Sequence, residues 1–372
     1  MYSLEYDVVV IGAGRIGYIA ALDLVNSSFD VLVVDVADER LKKFEELNVK
    51  TMVLDVLKAD SLKSMFKGVK VVSTALPGPI AYNAVMRLLK LGFNVVDVSY
   101  YPEDVWSLEG YAVESKVVYV PDAGLAPGLS NVLIGRSKVE LERLYRAYIY
   151  VGGVSHEPDD LLGLALTWSP IDLIEEYVRP ARIIEGGKVK QVDPLELTGS
   201  IEIPKVGVME YFVSDGLRTM LKTMRDVGEM RECTLRYPGH IEKMRFLKKL
   251  KLLDKYSLKF DGVEVDVRKF LARILEVAIS NKFQDKVILY TYCEGVKGTS
   301  KYLLIKNYDA KSRTSAMSLT TGYMLSTTSK MVADELIEYH GIFPPENIGL
   351  DSKLYAHLVK ELKDKGIVIE RV

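Results

Sequence analysis

The sequence predicts an α/β fold: a doubly wound parallel sheet interrupted by an inserted α+β domain built on a mainly antiparallel sheet. Three observations carry that expectation. Residues 6 to 120 alternate short β-branched runs with amphipathic stretches, a glycine turn follows the first run, and longer, partly alternating strands replace this texture after about residue 140. At 372 residues the chain exceeds one ordinary domain, so two are expected. The boundaries read from the sequence are 1–130 with 312–372 for the doubly wound domain and 131–311 for the insertion.

In order, the first domain reads YDVVVIG, IGYIAALDLV, DVLVVDV, ERLKKFEEL, KTMVLDV, VKVVSTALP, AYNAVMRLLKLG, NVVDVSY and KVVYVPDAG. The β-branched runs do not alternate, as expected of parallel strands buried on both faces, and the linking segments space apolar residues by three and four. In the insertion, YRAYIYVGGV, ARIIEGGKVKQVD, SIEIPKVGVMEYFV, KVILYTYCEGV and SKYLLIKNYD read as strands, with a hairpin turn at Gly186 and Gly187. Helices are expected around Ile171–Val178, Leu217–Met224, His240–Leu253 and Val267–Ile279. From Ser315 the chain turns helical, in AMSLTTGYMLSTTSKMVADELIEYHG and LYAHLVKELKDKG, and ends in a short IVIERV strand. These last helices are expected to pack on the first domain.

Lys plus Arg (49) nearly cancel Asp plus Glu (51), leaving −2, which argues against a nucleic acid or a membrane surface as partner. The first residues carry acidic side chains where a signal peptide needs basic ones, and no apolar run is long enough to span a bilayer. Cys233 and Cys293 are far apart, and the four histidines form no HExxH or Cys/His cluster, so no metal site is expected. Two cysteines fit a reducing, cytoplasmic compartment. Glutamine occurs only at 191 and 284 amid abundant Lys and Glu, a composition that leans towards a thermophile.

The glycine turn is GAGRIG, at Gly12, Ala13, Gly14, Arg15, Ile16 and Gly17. It follows VVVI, opens a helix, and precedes a second strand that ends in Asp35. This is the Rossmann context, in which Gly12 makes the turn, Gly14 admits the pyrophosphate and Gly17 lets helix and strand pack closely. The free amides at the helix start hold the phosphate charge. Asp35 accepts hydrogen bonds from ribose hydroxyls and repels a 2′-phosphate, so NAD is favoured over NADP, with Arg40 the residue able to reverse that preference. Asp55 and Val56 close the third strand, where the adenine is expected; a strand-end cap is the alternative for Asp55. Ligands gather outside the carboxyl ends of such strands, so Ala75, Leu76 and Pro77, Asp97 to Ser99, and Asp122 to Gly124 are candidates for the nicotinamide end. Helix capping or turn formation is the alternative for Asp97 and for Asp122.

PDAGLAPG at 121–128 and LTTG at 319–322, added to the Rossmann turn, make the chain resemble the saccharopine dehydrogenase family. Within it, TWSPIDLIEEYVRPARII (167–184), VSDGLRTM (213–220) and TLRYPGH (234–240) look like the lysine 6-dehydrogenases. That resemblance implies NAD-linked oxidative deamination of the lysine side chain, part of lysine breakdown, giving an aldehyde that closes on its own α-amine. It also implies a homodimer or an assembly of dimers.

Such chemistry needs a base to deprotonate the substrate ammonium, a cation for its α-carboxylate and a carboxylate for its other ammonium. Arg236 is the expected carboxylate fork and His240 the expected base or water activator, because imidazole titrates near neutrality; a capping histidine is the alternative. Tyr237 begins the turn between them. Glu175 and Glu176 point about 100° apart on a helix, so one at most faces a substrate and the other is solvated. Asp122 joins the catalytic candidates. Arg218 is a second carboxylate-binding candidate, next to Asp215, read as an N-cap. Thr321 and Gly322 either admit ligand or pack helices closely, and Trp168 and His156 are candidate pocket walls. A saccharopine-type reductase joining an amine to a keto acid, and a non-catalytic NAD sensor, are the competing readings.

Overall fold

The computed structural model describes residues 6–156, 161–165, 169–279 and 284–372. They form two compact units, residues 1–136 with 318–367, and 137–317 with 368–372.

The first unit holds β1 (Val8–Ile11), β2 (Val31–Asp35), β3 (Lys50–Val53), β4 (Val71–Thr74), β5 (Val95–Asp97) and β6 (Val118–Val120), joined at the β6 edge by Gly341–Ile342. Every pairing is parallel, and the order is 341–342, β6, β5, β4, β1, β2, β3. Parallel strands need crossovers that cover both faces, which is why every residue of β1, β2, β4, β5 and β6 is buried while the edge strand β3 is not. Val9, Leu32, Val34, Val72 and Val95 share one core with Phe66 and Leu88. The order reverses between β1 and β4, the place where such sheets bind ligands.

The helix Ala316–Ala333 packs here through Gly322, where a Cβ would lie 2.6 Å from Ile19 and 3.1 Å from the Ile16 carbonyl. Close helix contact is therefore what Gly322 provides. Further along, Lys330 and Lys365 lie 3.6 and 3.5 Å from Asp23, and both bond Glu361, joining three helices in a partly buried ionic cluster. Although burial opposes ionisation, the two lysines hold the Glu361 carboxyl down at about 2.

The second unit contains β7 (Leu144–Ser155), β8 (Ala181–Glu185), β9 (Lys188–Val192), β10 (Thr198–Ile203), β11 (Gly207–Ser214), β12 (Glu229–Arg236), a separate hairpin of β13 (Ser257–Phe260) and β14 (Val263–Asp266), then β15 (Asp285–Gly295) and β16 (Gly298–Asn307). The main sheet runs β10, β11, β12, β7, β15, β16, and ends on Glu370–Arg371, with β8 and β9 attached to β12. Only the β12–β7 pairing is parallel among those described. Gly186 and Gly187, at φ +58° and +72°, make the β8–β9 turn, both in the left-handed region that a two-residue hairpin demands. One sheet face carries Tyr148, Tyr150, Tyr290 and Tyr292. The opposite face presents Phe212, Thr234 and Arg236, and Phe212 joins a second core with Leu173, Tyr177 and Leu271.

The structure departs from the sequence reading in several places: Gly341–Ile342, read within a turn between helices, is an edge strand of the parallel sheet. The chain returns to the first unit at Ser318 rather than 312, and residues 368–372 belong to the second unit, because Glu370 and Arg371 pair with Leu303 and Tyr302 on the β16 edge. SIEIPKVGVMEYFV is a hairpin, turning at Lys205 (φ +65°), and not one strand. The helix expected over Leu217–Met224 shrinks to Met220–Thr223, since Arg218 sits at φ +46°. The β13–β14 hairpin was not anticipated. Among the described residues, no helix is long and apolar enough to cross a membrane.

Glu361 has a folded-state pKa far below its ordinary 4.5, so its contribution to stability is complete above pH 4.5 and is lost as pH falls through about 2. Glu361→Gln is therefore expected to lower the denaturant midpoint at pH 7, by about 2 kcal/mol of stability. The gap to the unaltered protein should close as the pH is taken from 4.5 towards 2; a constant gap would show that the carboxylate charge is not the stabilising element.

Candidate active site

The three turn glycines have different neighbours. Gly12 has φ +105°, and a Cβ there would lie 2.3 Å from the Ala75 carbonyl oxygen; on Gly17 it would lie 1.8 Å from the Gly12 oxygen. Both are fixed by packing. On Gly14 a Cβ would meet nothing within 4 Å, and φ of −69° suits any residue, so neither packing nor backbone conformation requires glycine at this position. The open space above it leaves room for a ligand to approach the backbone closely. Gly14 precedes the twelve-residue helix Arg15–Asn26, whose N-terminus no capping side chain occupies, and this arrangement fits a pyrophosphate.

Asp35, at the end of β2, accepts the Ala13 amide on Oδ2 (2.7 Å) and the Ala37 amide on Oδ1 (2.9 Å). Each oxygen keeps a lone pair for a ribose hydroxyl. The Arg40 guanidinium stands 3.8 Å from Oδ2, so the turn of helix after β2 brings a cation to the same place as the anion.

Around the other carboxyl ends the structure corrects several expectations. Asp97 is fully buried, accepting Thr74 Oγ1 (2.7 Å) and the Ser99 amide (3.0 Å), with Tyr119 3.5 Å away; it closes the end of β5 and lines no open surface. Burial pushes its carboxyl up to about 6, against the hydrogen bonds from Ser99 and Thr74. Asp55 accepts the Leu57 amide and pairs with Lys58, the turn-capping alternative, while Val56 packs into the core. Ala75 bonds back to Ile11, the Leu76 amide donates to Ser99 Oγ, and Pro77 precedes the helix Gly78–Lys90. Asp122 is buried at φ +53°, a turn conformation. Thr321 places its methyl beside Gly124.

In the second unit, Arg236 is 1% exposed. Its Nη2 donates to Glu176 (2.7 Å), its Nε to the Tyr177 hydroxyl (3.1 Å) and its Nη1 to the Leu235 carbonyl (2.9 Å). The expectation that Arg236 offers a fork to substrate therefore fails, because both edges of the guanidinium are committed. His240 Nδ1 lies 2.8 Å from the Leu162 carbonyl, which can only accept, so Nδ1 carries the proton. Nε2 is then the acceptor for the Tyr177 hydroxyl at 2.8 Å. Burial, and next the Arg236 charge, push His240 from 6.5 down to about 3. The premise of an imidazole titrating near neutrality does not hold here. Burial likewise lifts Tyr177 to about 12, against the pull of Arg236.

Glu175 and Glu176 separate as their geometry requires. Glu175 is held by Arg268 (2.5 Å) and Lys255 (3.0 Å), which lower its pKa against burial, so it is an ion-pair anchor and not a solvated face. Glu176 gives Oε2 to Arg236, its side chain is 31% exposed, and among the described residues Oε1 has no hydrogen-bond partner. Burial raises its pKa beyond what Arg236 takes back.

Tyr237 donates to the Ser155 carbonyl (3.0 Å) and lies over Gly163, a structural clamp. Asp215 is no N-cap: it takes Arg182 in a two-pronged pair, 2.8 Å on each prong. Arg218 is buried, His156 is exposed, and Trp168 lies outside the described residues. Among the described residues, no group of three His, Cys, Asp or Glu is placed to hold a metal.

The profile of the saccharopine dehydrogenase C-terminal domain matches residues 124–367, and that of the saccharopine dehydrogenase NADP binding domain matches residues 8–120. The chain belongs to the saccharopine dehydrogenase family. Its members are oxidoreductases with a nicotinamide dinucleotide domain of the kind built around Gly14 and Asp35. Among solved structures, apo histidine-tagged saccharopine dehydrogenase (L-Glu forming) from Saccharomyces cerevisiae shares the fold, with a TM-score of 0.80 at 19% identity, over 99% of this chain and 100% of that one. A putative myo-inositol dehydrogenase from Sinorhizobium meliloti 1021 matches over 98% of both chains at 9% identity, with a TM-score of only 0.44.

Sequence reasoning missed Tyr177, the hydroxyl that links Arg236 to His240. A signal was present: Glu232, Thr234 and Arg236 alternate along β12, all buried, and a polar period of two inside a buried strand demands partners from a facing element.

Two outcomes check this site. Gly14→Ala should leave thermal stability unchanged while weakening NAD(P) binding at least 10-fold by titration calorimetry, whereas Gly17→Ala should destabilise the fold; equal loss of stability in both would remove the case for a ligand at Gly14. For His240, a folded pKa below the unfolded value means stability that is complete above pH 6.5 and lost as pH falls towards 3. Nitrogen-15 spectra should show the neutral Nδ1–H tautomer from pH 8 down to about 5, and an imidazole titrating near 6.5 would contradict the buried relay.

Proposed function

We propose that this protein is an NAD-dependent amino acid dehydrogenase that oxidatively deaminates the ε-amine of L-lysine. Lysine, NAD+ and water give the ε-aldehyde, ammonium, NADH and a proton, and the aldehyde then cyclises with the α-amine to a piperideine carboxylate. One observation carries the reading. The three strings that look like lysine 6-dehydrogenases, at 167–184, 213–220 and 234–240, converge in space: Tyr177 bonds His240, Glu176 bonds Arg236, and Arg182 bonds Asp215. The residue types that carry the resemblance are thus joined in a hydrogen-bonded cluster of Glu176, Tyr177, Arg236 and His240 and in a separate Arg182–Asp215 pair, although up to 63 positions separate the partners in sequence.

Within that cluster Glu176 is the group suited to receive a substrate ammonium. Arg236 fixes one carboxylate oxygen and leaves Oε1 to accept a hydrogen bond from the ε-ammonium. Its raised pKa brings it closer to that of a base able to take the ammonium proton near neutrality. Loss of that proton exposes the nitrogen lone pair, without which the adjacent carbon cannot give up hydride. Tyr177 and His240, both held neutral, position Arg236 rather than move protons. Gly14 and the helix behind it would hold the pyrophosphate and Asp35 the adenosine ribose. The nicotinamide, when bound, supplies the two-electron acceptor. Asp35 supports NAD over NADP through repulsion of a 2′-phosphate, a preference that Arg40 weakens.

Lysine with NAD should produce NADH and a cyclic imine that colours with an aromatic aldehyde reagent, with kcat/KM at least 10-fold better for NAD than for NADP. Glu176→Gln should lower kcat by about 100-fold or more with little change in NAD affinity. Absence of NADH formation from lysine at every pH from 7 to 10.5, or turnover that requires glutamate instead, would overturn the assignment.

A further inference from the structure

Asp97 takes no part in the chemistry assigned above, yet it is fully buried at the end of β5, one strand from the point where the sheet order reverses. A carboxylate in such a place destabilises the fold unless its partners compensate. Its Oδ1 accepts the Thr74 hydroxyl at 2.7 Å and the Ser99 amide at 3.0 Å, and a third hydrogen bond, from the Ser99 hydroxyl, favours the ionised form. Ser99 Oγ in turn accepts the Leu76 amide at 3.0 Å. One carboxylate thus reaches, through one buried serine, the backbone of the segment that follows β4. That segment has little freedom. The Ala75 amide donates to the Ile11 carbonyl (2.9 Å), and the Ala75 carbonyl oxygen is the atom that a Cβ on Gly12 would meet at 2.3 Å. At the other end, a Cβ on Gly78 would lie 2.4 Å from the Tyr100 carbonyl oxygen. Ala75 and Leu76 are half-buried and Pro77 is exposed, at the carboxyl edge where such sheets take their ligands. A shift of this segment therefore displaces a wall beside the glycine turn.

We propose that Asp97 is a positioning residue for the dinucleotide: acting through Ser99, it holds the Ala75–Pro77 segment at the spacing from the glycine turn that binding requires. The hold depends on charge. Hydrogen bonds to an ionised carboxylate are about twice as strong as those to a neutral group, and a protonated carboxyl has a hydrogen of its own to place, so protonation slackens the grip on Ser99 and through it on Leu76. Burial raises the Asp97 carboxyl from its ordinary 3.8 to about 6, against the bonds from Ser99 and Thr74, and the Asp122 charge adds to the rise. Two tyrosines also face it: the Tyr119 hydroxyl on β6 lies 3.5 Å from Oδ2, and Tyr101 bonds Tyr119 at 2.5 Å. Burial keeps Tyr119 neutral. Dinucleotide affinity is therefore expected to fall as the pH drops through about 6. A plain charge effect has the opposite sign, because removing a negative charge favours an anionic ligand. The proposal rests on the dinucleotide site at Gly14 and not on lysine as substrate, so it is tested by binding and not by turnover.

The test uses the full chain. Calorimetric titration with NAD+ between pH 8 and pH 5 should show the dissociation constant rising by about 10-fold, the worth of one hydrogen bond, with its midpoint near 6. Asp97→Asn, of the same shape but without a titratable proton, should bind at one affinity across that range. Ser99→Ala should bind about 10-fold more weakly at pH 8 and lose the pH dependence although Asp97 is still present, and it decides the matter alone if Asp97→Asn does not fold. A purely structural role would lower the melting temperature of both variants and leave NAD+ affinity and its pH profile as in the unaltered protein, and that result overturns the proposal. Binding that tightens towards pH 5, or a pH dependence that persists in Asp97→Asn or Ser99→Ala, overturns it as well. Absence of NAD+ binding by the unaltered protein at every pH would remove the dinucleotide site itself and the proposal with it, whereas intact binding without lysine turnover would count against the substrate alone.

Discussion

A guanidinium with almost no access to water governs the second unit. An unpaired buried cation is prohibitively costly, so the fold must bring Arg236 a carboxylate and neutral acceptors. It does so with Glu176, Tyr177 and the Leu235 carbonyl, while the rings of Phe212 and Tyr177 lie 5.6 and 5.9 Å from the charge. The consequences spread outward. With Nε bound to its oxygen, the Tyr177 hydroxyl directs its own hydrogen to His240, which fixes the imidazole tautomer and pins Leu162. One cation thereby orders the end of β12, the end of the helix Pro170–Glu175, the start of the helix His240–Lys249 and the segment around Leu162.

The first unit solves a related problem with anions. Asp35 and Asp97 are both buried, and each is satisfied by backbone amides at a strand end, but only Asp35 lies beside a glycine that packing does not require. Packing glycines and ligand glycines look identical in a motif. Gly12 and Gly17 answer to neighbouring carbonyls, and Gly14 answers to the space above it. That contrast separates the two glycines that packing requires from the one that leaves room for a ligand.

The doubly wound sheet was legible because its signals are local: unbroken β-branched runs, helical spacing between them, and GG where a hairpin needs two left-handed residues. The site was legible as a set of residues and misread as a set of roles. His240 carried an expectation drawn from the free imidazole, which burial and the Arg236 charge then overturned. Glu175 and Glu176 could not be told apart until Arg268 and Lys255 claimed the first and Arg236 the second.

By itself the sequence determined the alternation of strands and helices in the doubly wound domain, the glycine turn with its carboxylate, and the strings that carry the substrate-side resemblance, since periodicity and motif spacing act within tens of residues. Only the tertiary structure decided which charges are paired, which imidazole nitrogen holds a proton, and which sheet edge receives Glu370 and Arg371. Those outcomes depend on burial and on partners 60 or more residues away, as with Glu176 and Arg236, and no local pattern encodes the dielectric surroundings of a side chain.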